Sequence, residues 1–346
     1  MLNILAESLP PPSEIKRKLP INLAIANKLL KIKSEVKDIF ESNSIKLVIV
    51  AGPCSIHDRA SFLHYAELFQ KLSEKVKKNI FLVLRVFSEK SRTSLGWKGY
   101  IYDPDLNNSC NIEKGIIETR KMLLQLTSFG IPCAMEFVDP LIVPYLDDLI
   151  SWGFIGARTS SSQPHRLLAS SITNPVGFKN ATDGCINVAI NGMVTSREPH
   201  SFIGLNQCGQ ISKISSHGNP YTHLVLRGSD TKTNFEINDI LLAEKEIIKL
   251  KIKPKILIDC SHGNSAKDIE MQKKVFLNVL KSFQKKPSTV LGMMLESFIF
   301  KGKQDFTSFP SYGVSITDPC LNWKSTEDLV LQADRLIDGK FSCAVY

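Results

Sequence analysis

The apolar positions of this chain gather into short, β-branched runs, each closed by a polar or glycine-containing turn. Eight stand out: Leu47 to Ala51, Phe81 to Val86, Ile131 to Glu136, Phe154 to Arg158, Val176 to Lys179, His223 to Arg227, Lys255 to Asp259 and Val290 to Glu296. Most are followed by a stretch with apolar residues at helical spacing, so the pattern reads as strand and helix in alternation. Such strands pair in parallel through right-handed crossovers, and eight units in 346 residues predict a (β/α)8 TIM barrel rather than an open sheet.

Two additions interrupt the rhythm. The segment to about Leu19, with Pro10, Pro11 and Pro12 in succession, reads as an arm outside the main core, and the apolar spacing from Leu29 to Phe40 predicts a helix over Leu23–Phe40. Between the fifth and sixth units, apolar-polar alternation on both sides of a Gln207-Cys208-Gly209 turn predicts a β-hairpin over about 202–216. The expected organisation is an N-terminal arm, residues 1–21, followed by a single barrel domain, residues 22–346, carrying the inserted hairpin.

Composition narrows the class. With 43% hydrophobic and 22% charged residues the chain is neither disordered nor a disulfide-stapled miniprotein. Its eight cysteines include no CxxC pair, which argues against a zinc ribbon or a thioredoxin-like centre. Met1 to Leu9 is too short and too charged for a secretory signal, and no apolar run has the length of a membrane span, so a cytoplasmic protein without a membrane partner is expected. The net charge of +9 invites a nucleic-acid reading. Lysines outnumber arginines 33 to 10, however, and they mostly flank apolar segments as solvated faces do. No nucleic-acid module or aromatic-basic stripe is present, so no nucleic-acid partner is expected.

A barrel of this kind places its chemistry at the carboxyl ends of the strands. The residues there are Cys54, Arg85, Glu136, Arg158, Lys179, Arg227, His262 and Glu296. By strand parity Arg85 continues the face of Phe81 and Val83, His262 that of Ile258 and Cys260, and Glu296 that of Gly292 and Met294, all expected to point inward. Four of the ten arginines (Arg85, Arg92, Arg158 and Arg227) would line one mouth with Lys90 and Lys179. That mouth suits a substrate set with several anionic groups, such as two phosphates and a carboxylate. Cys54, His262, Glu296 and Asp318 form a second cluster, a thiol, an imidazole and two carboxylates, suited to one divalent Mn, Fe, Co, Zn or Cu ion rather than Mg or Ca.

These residues sit in segments that resemble the type I 3-deoxy-D-arabino-heptulosonate 7-phosphate (DAHP) synthases: GPCSIHD (52–58), LRVFSEKSRTSLGWKG (84–99), IGARTSSSQPHR (155–166), PVGFKNATDG (175–184), LRG (226–228), IDCSHGNS (258–265), MLES (294–297) and YGVSITDPC (312–320). The resemblance runs in order from about Leu47 to the end. It implies a transferase that condenses phosphoenolpyruvate with D-erythrose 4-phosphate and water, the first step of the shikimate pathway. It also implies metal ligation by Cys54, His262, Glu296 and Asp318. Arg85, Lys90, Arg158, Lys179 and Arg227 would hold phosphoenolpyruvate, and Arg92 and Thr93 in the Lys90-Ser91-Arg92-Thr93 loop the sugar phosphate. Lys179 is the candidate for proton transfer, because a lysine among other cations has a lowered pKa, with Glu136 orienting a cation or water beside it.

The arm and hairpin match where this family builds a feedback site for an aromatic amino acid and where subunits pack, implying a homodimer or homotetramer. GLNQCGQ resembles the tyrosine-sensitive forms, DPDLNNS and ITDPCLNW the tryptophan-sensitive ones. Ser91 stands where proline is usual, which loosens the backbone before Arg92. A 3-deoxy-manno-octulosonate 8-phosphate synthase is the nearest alternative, but such enzymes are typically shorter and lack the arm and the KSRTS loop.

Overall fold

A computed structural model describes residues 6–41, 44–286, 288–307 and 309–342. Residues 1–5 of the expected arm, and Cys343, lie outside the described residues. The strands are β1 (Leu47–Gly52), β2 (Ile80–Arg85), β3 (Cys133–Glu136), β4 (Trp152–Ile155), β5 (Val176–Lys179), β6 (His200–Leu205), β7 (Ile211–Ser216), β8 (Thr222–Leu226), β9 (Ile256–Asp259) and β10 (Val290–Glu296). Eight of them close into a parallel barrel in chain order, β1-β2-β3-β4-β5-β8-β9-β10, and β10 returns to β1 with Gly52 opposite Glu296. All eight expected runs therefore become barrel strands. The fourth differs in its bounds: β4 stops at Ile155, and Arg158 lies three residues on, in an exposed turn.

Alternation along each strand builds two cores. Residues such as Val48, Val50, Phe81, Val83, Phe154, Val225, Leu257 and Met294 fill the barrel, whereas Ile49, Leu82, Leu84, Ile155 and Ile258 face the surrounding helices. The helix Leu23–Glu41 closes the amino-terminal mouth of the barrel. Its Ile32, Val36, Ile39 and Phe40 join the interior cluster, and the Phe40 ring stands 5.5 Å from that of Trp152 and 5.7 Å from that of His223. With that end plugged by apolar rings, the opposite mouth is left for chemistry.

The arm packs against the barrel rather than outside its core. It forms a short helix, Pro12–Lys18, whose Ile15 is fully buried in the outer core. Around Ile15 the Tyr145 hydroxyl donates to the Pro10 carbonyl at 2.8 Å, Lys16 pairs with Asp147 at 2.7 Å, and the Ser13 amide donates to the Gln207 carbonyl at 2.8 Å. The last contact ties the arm to the turn between β6 and β7, which form the expected antiparallel hairpin. No described helix is long and apolar enough to cross a membrane.

Candidate active site

The carboxyl ends of the barrel strands open into a cavity of about 680 Å³. Its lining includes Arg85, Lys90, Arg92, Thr93, Glu136, Arg158, Lys179, Arg227, His262, Glu296 and Asp318. Local geometry explains how each arrives. Arg85, Glu136, Lys179 and Glu296 are the last residues of β2, β3, β5 and β10, on the parity of the interior clusters, and Arg227 follows β8 directly. Cys54 lies just past β1, buried below the mouth. Asp58, in the same segment, accepts from the amides of Ala60 and Ser61 and caps the helix Arg59–Val76, so the GPCSIHD run both ends a strand and starts a helix.

The loop after β2 supplies Lys90, Arg92 and Thr93, the last two exposed at the mouth. The Arg92 guanidinium lies against Gly96, whose φ of 148° is a backbone conformation that favours glycine. Arg85 is buried: its guanidinium packs over the Phe87 ring at 3.9 Å and reaches the Pro53 carbonyl at 3.3 Å and Glu296 Oε1 at 3.2 Å.

The expected metal cluster is gathered unevenly. A sulfur of Cys54 and one oxygen each of Glu296 and Asp318 lie within 4.8 Å of one another. His262 Nε2 stands beside them, 3.6 Å from Glu296 Oε1. Its Nδ1 is 2.9 Å from Asp259 Oδ2, and since a carboxylate only accepts, that nitrogen carries a proton and Nε2 is the nitrogen turned toward Glu296. Soft sulfur, imidazole nitrogen and two carboxylate oxygens within a few ångströms fit a divalent transition ion with ligand bonds of about 2.0–2.3 Å. Burial, then the Glu296 charge, pushes the Cys54 thiol up to about 11, although Lys90 Nζ at 2.8 Å opposes them. Burial works against the Asp318 carboxylate too, but Lys90 and Lys267 outweigh it and hold its pKa low, with Lys267 Nζ bonded to Oδ1 at 2.8 Å.

Two expectations need correction. The face of Ile258 and Cys260 turns outward into the helical shell, and the inward residues of β9 are Leu257 and Asp259. His262 reaches the site by another route: the strand ends at Asp259, and His262 takes a left-handed backbone with φ of 50° at the start of the short helix His262–Ser265. The second concerns Lys179, expected among cations. Its nearest charged neighbours are carboxylates, Asp259 Oδ2 at 3.1 Å and Glu136 Oε2 at 3.9 Å, because β9 turns Asp259 inward.

Three groups at or just beneath the cavity wall escaped the sequence reading. Asp259 is fully buried, and although burial works to raise its pKa, His262 and Lys179 hold it well below the usual carboxylate range. Period-two counting from Leu257 would have found it. Lys267 is brought to Asp318 by successive left-handed residues, Ala266 and Lys267, which no periodicity signals. Glu89 is buried on the cavity wall, where burial and then the nearby Asp139 charge raise its carboxyl to about 8.

Comparison with known proteins places this geometry. The chain matches the family model described as the DAHP synthetase I family over residues 24–331. The Tyr-sensitive phospho-2-dehydro-3-deoxyheptonate aldolase of Escherichia coli K12 is 40% identical over 337 residues, covering 96% of this chain and 94% of that one. The Trp-sensitive aldolase of the same name from Buchnera aphidicola subsp. Schizaphis graminum is 38% identical over 332 residues, covering 95% of each. Among solved structures, phospho-2-dehydro-3-deoxyheptonate aldolase from Francisella tularensis SCHU S4 superposes with a TM-score of 0.94 at 36% identity, over 97% of this chain and 99% of that one. Barrel, cavity and sequence agree, and this chain belongs to the DAHP synthetase I family.

Proposed function

We propose that the chain performs the reaction of its family, condensing phosphoenolpyruvate with D-erythrose 4-phosphate and water to give DAHP and inorganic phosphate at the head of the shikimate pathway. One observation supports that reading: the two carboxylates of the sulfur-and-carboxylate cluster, Glu296 and Asp318, line the same cavity as eight arginines and lysines. Two phosphates and one carboxylate need such a ring of cations, since the substrates repel one another and their reacting carbons must be held in contact.

Cys54, His262, Glu296 and Asp318 would hold one divalent transition ion, which when bound supplies a Lewis acid for the aldehyde oxygen of erythrose 4-phosphate. Arg85, Lys90, Arg158, Lys179 and Arg227 bind phosphoenolpyruvate, and Arg92 with Thr93 orients the phosphate of the sugar at the outer rim. With the substrates so placed, C3 of phosphoenolpyruvate attacks the aldehyde carbon, water adds at C2, and phosphate leaves with cleavage of its C–O bond. Lys179, poised between Glu136 and Asp259, holds a transferable proton beside this centre, and Glu136 orients the water.

The hairpin and arm form the effector and assembly region in this reading. Ile203 and Ile211 on the hairpin are 83% and 80% exposed, as suits a face that a second subunit covers in a homodimer or homotetramer, and an aromatic amino acid would bind beside it. All seven described cysteines are free, which supports a reducing, cytoplasmic setting.

The test is direct. Phosphoenolpyruvate consumption is followed with erythrose 4-phosphate and Mn²⁺, Fe²⁺, Co²⁺, Zn²⁺ or Cu²⁺ in turn, with and without Phe, Tyr and Trp. Consumption that requires both substrates and a metal is expected. No consumption with any metal would overturn the reading.

A further inference from the structure

Asp259 is held on its two oxygens by three hydrogen bonds and an ion pair. The Ser261 amide and hydroxyl donate to Oδ1 at 3.1 and 2.6 Å. His262 Nδ1 and Lys179 Nζ both approach Oδ2, at 2.9 and 3.1 Å. Three hydrogen bonds and the Lys179 charge together answer the carboxylate, which is how a fully buried charge is tolerated here. Its backbone is held as well, for Asn264 Nδ2 donates to the Asp259 carbonyl at 2.9 Å.

The shared oxygen has a consequence for the site. His262 stands on the metal side of the cavity and Lys179 on the phosphoenolpyruvate side, and among the described residues no hydrogen bond or ion pair joins the two directly. We propose that Asp259 is a positioning residue that sets both halves at once: through Oδ2 it fixes the His262 ring with Nε2 free for the metal, and it aims Lys179 Nζ at phosphoenolpyruvate. This rests on the roles given above to His262 and Lys179. Nothing in the proposal requires Asp259 to touch substrate or metal. A pure scaffold residue would affect folding alone, whereas a shared anchor must move two separate ligand affinities and the His262 Nδ1 resonance together.

The experiment uses the full chain with Asp259→Asn, which keeps the shape but turns one acceptor into a donor opposite existing donors. Three quantities are read beside circular dichroism: Mn²⁺ affinity from the free-Mn²⁺ resonance, phosphoenolpyruvate affinity by calorimetry, and the ¹⁵N shifts of the His262 ring in metal-free protein. The expected result is a loss of about tenfold or more in Mn²⁺ affinity, a loss of about fivefold in phosphoenolpyruvate affinity, and a displaced His262 Nδ1 resonance as its bond to residue 259 changes. Should this variant not fold, Ser261→Ala removes the 2.6 Å hydroxyl bond to Oδ1 and the 3.1 Å contact of that hydroxyl with His262 Nδ1, so its phosphoenolpyruvate affinity, which the His262 contact does not itself reach, carries the test with a smaller shift in the same direction. Folded protein in which either affinity stays within about twofold of the parent overturns the proposal. Controls separate the two levels: His262→Ala must lose Mn²⁺ and Lys179→Ala must lose phosphoenolpyruvate affinity. If the controls bind as the parent does, the site assignment itself falls, and the proposal with it.

Discussion

The Arg85 guanidinium and the Glu296 carboxylate meet at 3.2 Å with both side chains almost wholly buried, joining the proposed phosphoenolpyruvate and metal sides of the cavity. A buried pair of this kind is costly to half-remove. Glu296→Ala is expected to destabilise the fold by about 3 kcal/mol, because among the described residues Arg85 keeps only the Pro53 carbonyl, the Met294 sulfur and the Phe87 ring. The double variant Arg85→Met/Glu296→Leu is expected to recover most of that stability without activity. Urea unfolding of the three proteins decides it, and equal destabilisation in the single and double variants would count against an uncompensated charge as the cause.

At the other end of the barrel, Phe40 contributes to stability and not to chemistry. Phe40→Ala removes a ring packed on Trp152, Tyr221 and His223, and is expected to cost about 3 kcal/mol. Turnover measured well below the melting temperature is expected to stay within about twofold of the parent. A larger drop in kcat/KM with little change in stability would show that the plug does more than close the barrel.

Glu89 gives the protein a pH-dependent stability. Its carboxyl is raised from 4.5 to about 8 by burial and by the Asp139 charge, so between those values the folded state binds a proton that the unfolded chain has released. Stability from this group is therefore fully present below pH 4.5 and is lost as pH rises toward and through 8. Glu89→Gln, neutral at every pH, is expected to flatten the decline between pH 5 and 8. Melting temperatures across that range test it, and parallel curves for variant and parent would remove Glu89 as the source.

Metal uptake is expected to release protons. The Cys54 thiol, raised to about 11, must ionise to ligate, so the apparent metal affinity rises with pH between about 6.5 and 8.5. Competition with a chelator at several pH values measures the slope. Cys54→Ala is expected to lower affinity by more than about tenfold and to lose most of that pH dependence, and an unchanged slope would exclude Cys54 as the group that ionises.

Much of the barrel is legible without coordinates because its strands are buried on both sides. Runs such as Leu47 to Ala51 and Ile256 to Asp259 must be apolar and β-branched to fill interior and shell at once, and the crossover helices must be amphipathic, so period and length alone separate them. Charged residues at the ends of β2, β3, β5 and β10 are visible for the same reason: they end apolar runs on the inward parity. The positive charge divides in the same way. Many lysines pair with acids on the exposed helices, as Lys77 does with Glu74 and Lys249 with Glu246, while Arg85, Lys179 and Arg227 are buried at the mouth.

What needed the tertiary structure lies where periodicity stops. His262 enters the cavity through a left-handed residue after the strand, so counting by twos along β9 assigns the inward position to Cys260 when Asp259 holds it. The arm residue Ile15 looks no different in sequence from an exposed isoleucine, and only the surfaces around Tyr145 and Gln207 bury it. Local sequence determined which segments are strands and which charges stand at their ends, since backbone pleat and apolar burial are short-range regularities. Which of those charges share an oxygen, and which lysine faces an acid rather than another cation, was decided only by barrel closure, because it depends on distances between residues far apart in the chain.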